Sequence, residues 1–373
     1  MTALRSFVAL LTTSMLACSS TAAQAPSDAG IDADASGDEG GLVDASGCGF
    51  DVTSDPKNCG SCGHDCLGGS CSGGVCQPVA VVGGLNHPRI VRVDDTDAFV
   101  LDTDPILFGG RISRVGKSGG PKSTISLPSS LQLDAAPMEI DGNYIYLGYD
   151  GLGRVPKSAG GYENLDDGVV RALTIVAGEI IYSKYDAFDR TWILKRSTAP
   201  NAAPVPYAQD GGALVLQRFV VNGTNLYFSV HWTSYYDGIF RTSITGISPR
   251  TKLLDPGFIG PSGVFLFDSG FLYGASGNTI RRIQESALDG TLPYPTGDAV
   301  AIGLKDVADV LITGGRMFIA YSDRIGECPA AGCSGNPPVT RAADQYGPRS
   351  LTSDDKAIYW VTYDGGTLMR LAK

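Results

Sequence analysis

From Gln77 onward, short apolar runs and turn residues alternate along the chain in a regular rhythm. Each unit opens with a strand-like run, passes a Gly, Asp or Asn turn, and reaches an apolar–aromatic–apolar core. A second turn and a third run, often carrying Arg or Lys, follow. The cores are Ala98-Phe99-Val100, Ile145-Tyr146-Leu147, Ile181-Tyr182-Ser183, Leu226-Tyr227-Phe228, Leu272-Tyr273-Gly274, Met317-Phe318-Ile319 and Ile358-Tyr359-Trp360. Their central aromatics lie 47, 36, 45, 46, 45 and 41 residues apart. The turns before them include Asp141-Gly142, Asn222-Gly223 and Ser269-Gly270, pairs that favour tight hairpins. The third runs carry Arg114, Arg154, Arg241 and Arg370. No long amphipathic run with helix caps interrupts the series, which excludes a helical solenoid.

Two hairpins per unit is the size of one four-stranded propeller blade. Seven cores therefore predict an all-β fold, a seven-bladed β-propeller of four-stranded blades over residues 78–373. The last unit has a third run, Leu368-Met369-Arg370-Leu371, and no fourth. Val79–Val82 is expected to fill that place, closing the ring and hiding two sheet edges. The run Ile358-Tyr359-Trp360-Val361 resembles the YWTD-like and related bacterial propellers, without their Thr-Asp ending. The resemblance implies a fold and says little of function, because propellers serve many unrelated roles.

Residues 1–17 read as a signal peptide. Arg5 supplies the positive n-region, and Phe7–Ala17 forms an apolar stretch too short to span a bilayer. It ends in Met15-Leu16-Ala17-Cys18, which resembles the lipobox of bacterial lipoproteins, with Met15 in place of the usual Leu. The resemblance implies acylation of Cys18, and Ser19 after it implies an outer-membrane destination. An ordinary cleaved signal followed by a chance cysteine is the alternative. Ser19–Gly47 is rich in Ala, Gly, Ser and Asp and lacks Lys and Arg. Such a stretch buries too little apolar area to offset its ordering entropy, so residues 18–47 are expected to be a lipidated, disordered acidic tether preceding a small disulfide-rich module.

That module spans residues 48–77 and holds Cys48, Cys59, Cys62, Cys66, Cys71 and Cys76. An even six in a short exported segment predicts three disulfides of open connectivity. A zinc half-site at Cys59 and Cys62 is the rival reading. The run Asn58-Cys59-Gly60-Ser61-Cys62-Gly63-His64-Asp65-Cys66 resembles the cysteine-rich Stig1-type repeat. Cys328 and Cys333, read as lying in the top loop of the sixth blade, are expected to form a further disulfide.

The chain carries a net charge of −10, so nucleic acid is not an expected partner. Charge then sharpens the search for a site. In a propeller, the start of each innermost strand and the turn between strands two and three share one face, the top. Arg89, Arg171, Arg218 and Arg349 stand at four such starts, so repeat symmetry predicts four guanidiniums at the mouth of one funnel. Pairing with Asp150, Asp186, Asp237, Asp309, Asp323 or Asp364 would neutralise them. The third and fourth blades add aromatic top loops with Tyr185, Phe188 and Trp192, and with His231, Trp232, Tyr235 and Tyr236. These suit stacking on a sugar, anchoring of a protein, or packing between blades.

We find no nucleophile–base pair, metal cluster or phosphate loop in the sequence, and no cofactor is expected. His231 is the residue best placed to act as a base in a funnel lyase or hydrolase. The leading expectation is a monomeric envelope lipoprotein, membrane-bound through its lipid alone, whose top face binds a protein or glycan. An envelope assembly scaffold and a propeller enzyme are the alternatives.

Overall fold

The computed structural model describes residues 49–103, 110–128, 131, 136–148, 150–158, 160–185, 191–199, 202–210, 216–230, 238–245, 249–259 and 263–373. Cys18, Cys48, His231, Trp232 and Tyr235 lie outside the described residues, as do the signal and tether. Seven antiparallel four-stranded sheets follow one another in sequence order. The innermost strand of each blade touches that of the next, and the seventh (Pro348–Ser353) touches the first (Pro88–Val93), so the ring is closed.

Closure uses the strand anticipated above. Val79–Val82 pairs antiparallel with the third strand of blade seven, with Val79 opposite Arg370 and Val82 opposite Leu368. Both ends of the propeller sequence are thus tied into one sheet, and neither edge is left to template aggregation.

The period-two geometry of strands explains the apolar runs. Each blade is covered on both faces, so its second strand is continuously hydrophobic rather than alternating. In blade one, Ala98 and Val100 face Tyr359 and Val361 of blade seven, whereas Phe99 and Leu101 face Met138 and Ile145 of blade two. Similar buried clusters fill the other seams.

The buried tyrosines need partners for their hydroxyls. Tyr146 donates to Asp141 (2.7 Å) and Tyr359 to Asp354 (2.9 Å), each acid standing in the turn before its own strand. Tyr182 donates to Asp166 and Tyr227 to Glu285, both at 2.5 Å. Burial, followed by these carboxylates, raises the pKa of all four phenols. The recurrent third-strand arginine has a structural use as well. Arg114 donates to the Lys157 carbonyl (3.2 Å) and Arg154 to the Thr198 carbonyl (2.7 Å); Arg370 donates to the Lys117 carbonyl. Each bond crosses to the end of the third strand in the following blade, so these arginines staple blade to blade.

Cys59 pairs with Cys71 and Cys66 with Cys76, and Cys62 is also disulfide-bonded. The sulfurs that approach one another here are therefore occupied by S–S bonds, which removes the zinc reading for Cys59 and Cys62. The module does not stand apart from the ring. Cys59, Cys66 and Cys76 are fully buried in the same cluster as Phe318 and Trp360 of blades six and seven. His64 bridges the Cys59 carbonyl (2.6 Å) and the carbonyl of Lys373 (2.7 Å), while Arg370 also donates to the Leu67 carbonyl. The small stapled segment gains its apolar burial by covering the seam beside the closing strand.

One placement differs from expectation. Cys328 and Cys333 form a disulfide, but on the bottom face. Ser322, at φ +48°, and Asp323 make a two-residue turn between Tyr321 and Arg324. The third strand (Arg324–Pro329) therefore begins at once and carries Cys328 to the opposite end of the blade.

Candidate functional site

The innermost strands begin at the top of the ring, and several begin irregularly. The ladder shifts register at the first residues of blades one, four, six and seven. Such bulges bend a strand and re-aim its side chains. Arg89, Arg218, Asp309 and Arg349 sit at or beside these shifts.

A central cavity of about 760 Å³ opens between the innermost strands. All four sequence-selected arginines, Arg89, Arg171, Arg218 and Arg349, line it. So does Arg92, one turn of the pleat deeper, which sequence reasoning passed over. Among the described residues, two carboxylates, Glu139 and Asp309, line it as well.

The five arginines are not equivalent. Arg92 is fully committed, donating from Nε (3.0 Å) and Nη2 (2.7 Å) to the two oxygens of Glu139 in the next blade. Burial works against its charge, but Glu139 outweighs burial and raises its pKa. Arg218 donates to Asp309 (2.9 Å), which also accepts from the backbone N–H of Val310 and Leu351. This pair is the neutralisation foreseen for a strand-one aspartate. Arg171 lines the cavity and has contacts of its own.

Arg89 and Arg349 share a different partner. The Arg349 guanidinium carbon lies 4.0 Å from the ring centroid of Tyr363, and that of Arg89 lies 5.1 Å from it. Arg89 Nε donates to Thr103 Oγ1 and its Nη2 to the Tyr363 hydroxyl, both at 3.3 Å. The His87 ring tilts against Tyr363 at 4.9 Å. Among the described residues, Arg349 has no carboxylate within ion-pair distance, and its buried Nε has no hydrogen-bond partner. Burial, and then the charge of Arg89, lower the pKa of Arg349.

Among the described residues, the turn aspartates make no ion pair with Arg349. Asp323 pairs with its exposed neighbour Arg324 (3.0 Å), and Asp364 acts on Arg349 only at a distance. Asp186 and Asp237 lie outside the described residues. Trp192 packs into the cluster between blades two and three, on the inter-blade side of the choice left open by sequence. Tyr363 belongs to a Tyr-Asp-Gly run that reads as a plain turn. Only its position across the seam from Arg89 reveals a second use.

No protein family and no curated protein matches this sequence. Solved structures with a similar fold do. Virginiamycin B lyase from Staphylococcus aureus, solved with quinupristin, is 15% identical with a TM-score of 0.57. That match covers 80% of this chain and 98% of the lyase. The extracellular domain of a putative hybrid two-component system, BT4673, from B. thetaiotaomicron is 12% identical with a TM-score of 0.52. It matches 78% of this chain and 39% of that one. BamB from Moraxella catarrhalis gives 15% identity and a TM-score of 0.47, over 76% of this chain and 82% of its own. At these identities the likeness to the lyase and to the BT4673 domain is one of fold alone.

Proposed function

We propose that this chain is an exported lipoprotein, tethered through Cys18, whose propeller binds a protein or glycan ligand at the top of its central funnel. The disulfides support export, since such bonds persist in oxidising compartments. The observation that carries the binding reading is Arg349, which lines the central cavity, keeps a buried Nε without a hydrogen-bond partner and, among the described residues, has no carboxylate within ion-pair distance. An arginine without a paired acid at the mouth of a funnel is a recognition group for an anion.

The test uses the full chain carrying Cys18→Ser. It is applied to a glycan array and to purified envelope proteins, and hydrogen exchange is then followed with each binder. Protection at the starts of the innermost strands is the expected result, weakening as salt rises. Protection confined to the outer blade edges would replace this reading with that of a scaffold. Absence of any binder at the top face would refute it.

A further inference from the structure

We propose that the disulfide module is an oxidation-dependent clasp on the ring. Its S–S bonds hold the loops that dock on blades six, seven and one, and that docking keeps Val79–Val82 seated as the outer strand of blade seven. The inference concerns the bottom of the ring and stands apart from the binding reading above.

The closing strand has little hold of its own. Val79–Val82 is four residues long, with Ala80 exposed and its three valines half-buried. Its ladder to the third strand (Thr367–Ala372) shifts register after Ala80, and the paired residues are Val79, Ala80 and Val82. In the other blades the outer strand follows the third strand along the chain, so its pairing closes a short loop. Here the partner comes from the far end of the propeller sequence, and the entropy of closure grows with the loop. The upper end of the strand is pinned. Lys122 Nζ donates to the Gly84 carbonyl (2.6 Å) and Leu85 N–H to that of Gly366 (2.9 Å). The lower end leaves the module through Cys76-Gln77-Pro78, so it is only as fixed as the module itself.

The module's seat is made by residues 59–76. Cys59, Cys66 and Cys76 are buried against Ile325, Trp360 and Leu371, and Leu67 packs into that cluster and into the one between blades one and seven. The bonds of His64 to the Lys373 carbonyl and of Arg370 to the Leu67 carbonyl follow the same path. Among the described residues, the only regular structure in this span is a hairpin of two-residue strands, Cys71–Ser72 and Val75–Cys76. A segment with so few ladder bonds keeps its shape through cross-links. Cys59–Cys71 and Cys66–Cys76 interleave along the chain and supply them. The second bond sets Cys76, and with it the start of the closing strand three residues on, beside the docked Leu67. Cys62 is exposed and Cys71 half-buried, which gives thiol reagents a way in from solvent. Reduction of each bond takes up two electrons and two protons and leaves two thiols; a disulfide oxidant returns the bond and is itself reduced to two thiols. Without the bonds the seat loosens, the lower end of Val79–Val82 is released, and the edge of Thr367–Ala372 opens. The ring therefore locks only in an oxidising compartment.

The experiment uses the full Cys18→Ser chain with Cys328→Ser and Cys333→Ser, so that every remaining cysteine belongs to the module. Hydrogen exchange is followed before and after treatment with a phosphine, which with one water converts each S–S bond to two thiols and itself to the phosphine oxide. A thiol count establishes full reduction. Exchange at residues 79–82 and 367–372 should rise roughly tenfold or more, while Asn225–Val230 in blade four keeps its oxidised rate. Reoxidation with glutathione disulfide should restore the protection. The pair Cys66→Ser and Cys76→Ser should give the same local rise without a reductant, which covers the case in which the buried sulfurs resist the phosphine. Exchange at 79–82 that stays at the oxidised rate in the fully reduced chain, or in this double variant, would overturn the clasp. A rise spread equally through all blades would overturn it too, by showing that the module supports the whole fold and not the closing strand.

Discussion

Asp354 offers a direct test of how the closing seam is held. It stands in the turn between the first two strands of blade seven. Its Oδ1 accepts from the backbone N–H of Lys356 (2.9 Å) and Ala357 (2.8 Å). Its Oδ2 accepts from the Tyr359 hydroxyl (2.9 Å) and pairs with Lys117 of blade one at 2.7 Å. The two charged side chains are only 14% and 16% exposed. Burial pushes the carboxyl upward, but Lys117, the two backbone donors and Tyr359 outweigh it and hold the group at about 2, below its ordinary 3.8. The unfolded chain returns to that ordinary value, so the folded state resists protonation. The stabilisation is complete above about pH 4 and disappears as pH falls through the folded value, an effect of roughly 2 kcal/mol. Asp354→Asn should therefore lower stability by about 2 kcal/mol at pH 7 and leave Lys117 without its partner. The deficit should shrink between pH 4 and pH 2, where the parent protein also loses the charge. Urea unfolding followed through buried Trp360 measures both, and a Lys117→Met cycle isolates the pair. A deficit that persists unchanged at pH 2 would show that packing, not charge, carries the effect.

Deleting residues 78–83 removes the outer strand of blade seven and should give aggregation or a marked loss of stability by light scattering and thermal melting. A variant that stays monomeric and equally stable would count against strand closure as the seal of the ring. The Cys18→Ser chain expressed in a Gram-negative host should move from the membrane to the soluble fraction; retention on the membrane would refute the lipid anchor. Replacing Cys328 and Cys333 by Ser should cost little, because the loop they close is short, and should leave top-face binding intact, because that loop is on the bottom. Loss of binding in that variant would mean that the disulfide acts across the ring.

The ring itself was legible because each blade is buried on two faces. Double burial writes a continuous apolar–aromatic core into every second strand, from Phe99 to Tyr359, and the cores can simply be counted. The closing strand was legible from the missing partner of Leu368–Leu371. Arg89, Arg171, Arg218 and Arg349 were found by repeat position alone, since symmetry converts a shared place in the repeat into a shared place in the funnel. What symmetry does not encode was missed. Arg92 and Glu139 sit within ordinary strands and meet only across a seam. Tyr363 looked like a turn residue because its contacts to Arg89 and Arg349 join distant parts of the chain. Cys328 was put on the wrong face because one tight turn, Ser322-Asp323, moves the long loop to the other end of the blade.

The left-handed backbone at the top of the seam between blades one and seven, at His87, Tyr346, Gly347 and Ser350, follows from how the ring is closed. Among the described sheets, that of blade seven is completed by a strand from outside the repeat order, Val79–Val82. On the bottom of that seam, Lys117 pairs with Asp354, and Arg370 reaches the carbonyls of both Lys117 and Leu67. The disulfide module is held there too, with His64 on the last carbonyl of the chain. On the top, the same two blades present Arg89 and Arg349 to one ring, and among the described residues Arg349 has no carboxylate within ion-pair distance. Local charge repulsion and left-handed backbone persist only where the surrounding structure over-determines them. The bottom of the seam supplies that excess of ties. A strained top and a tightly bound bottom are therefore two halves of one arrangement. Loosening the lower half should relax the upper: Arg370→Leu is expected to speed hydrogen exchange at residues 346–350 before it changes any ligand contact. Exchange there at the parental rate would show that the top of the seam holds its geometry unaided.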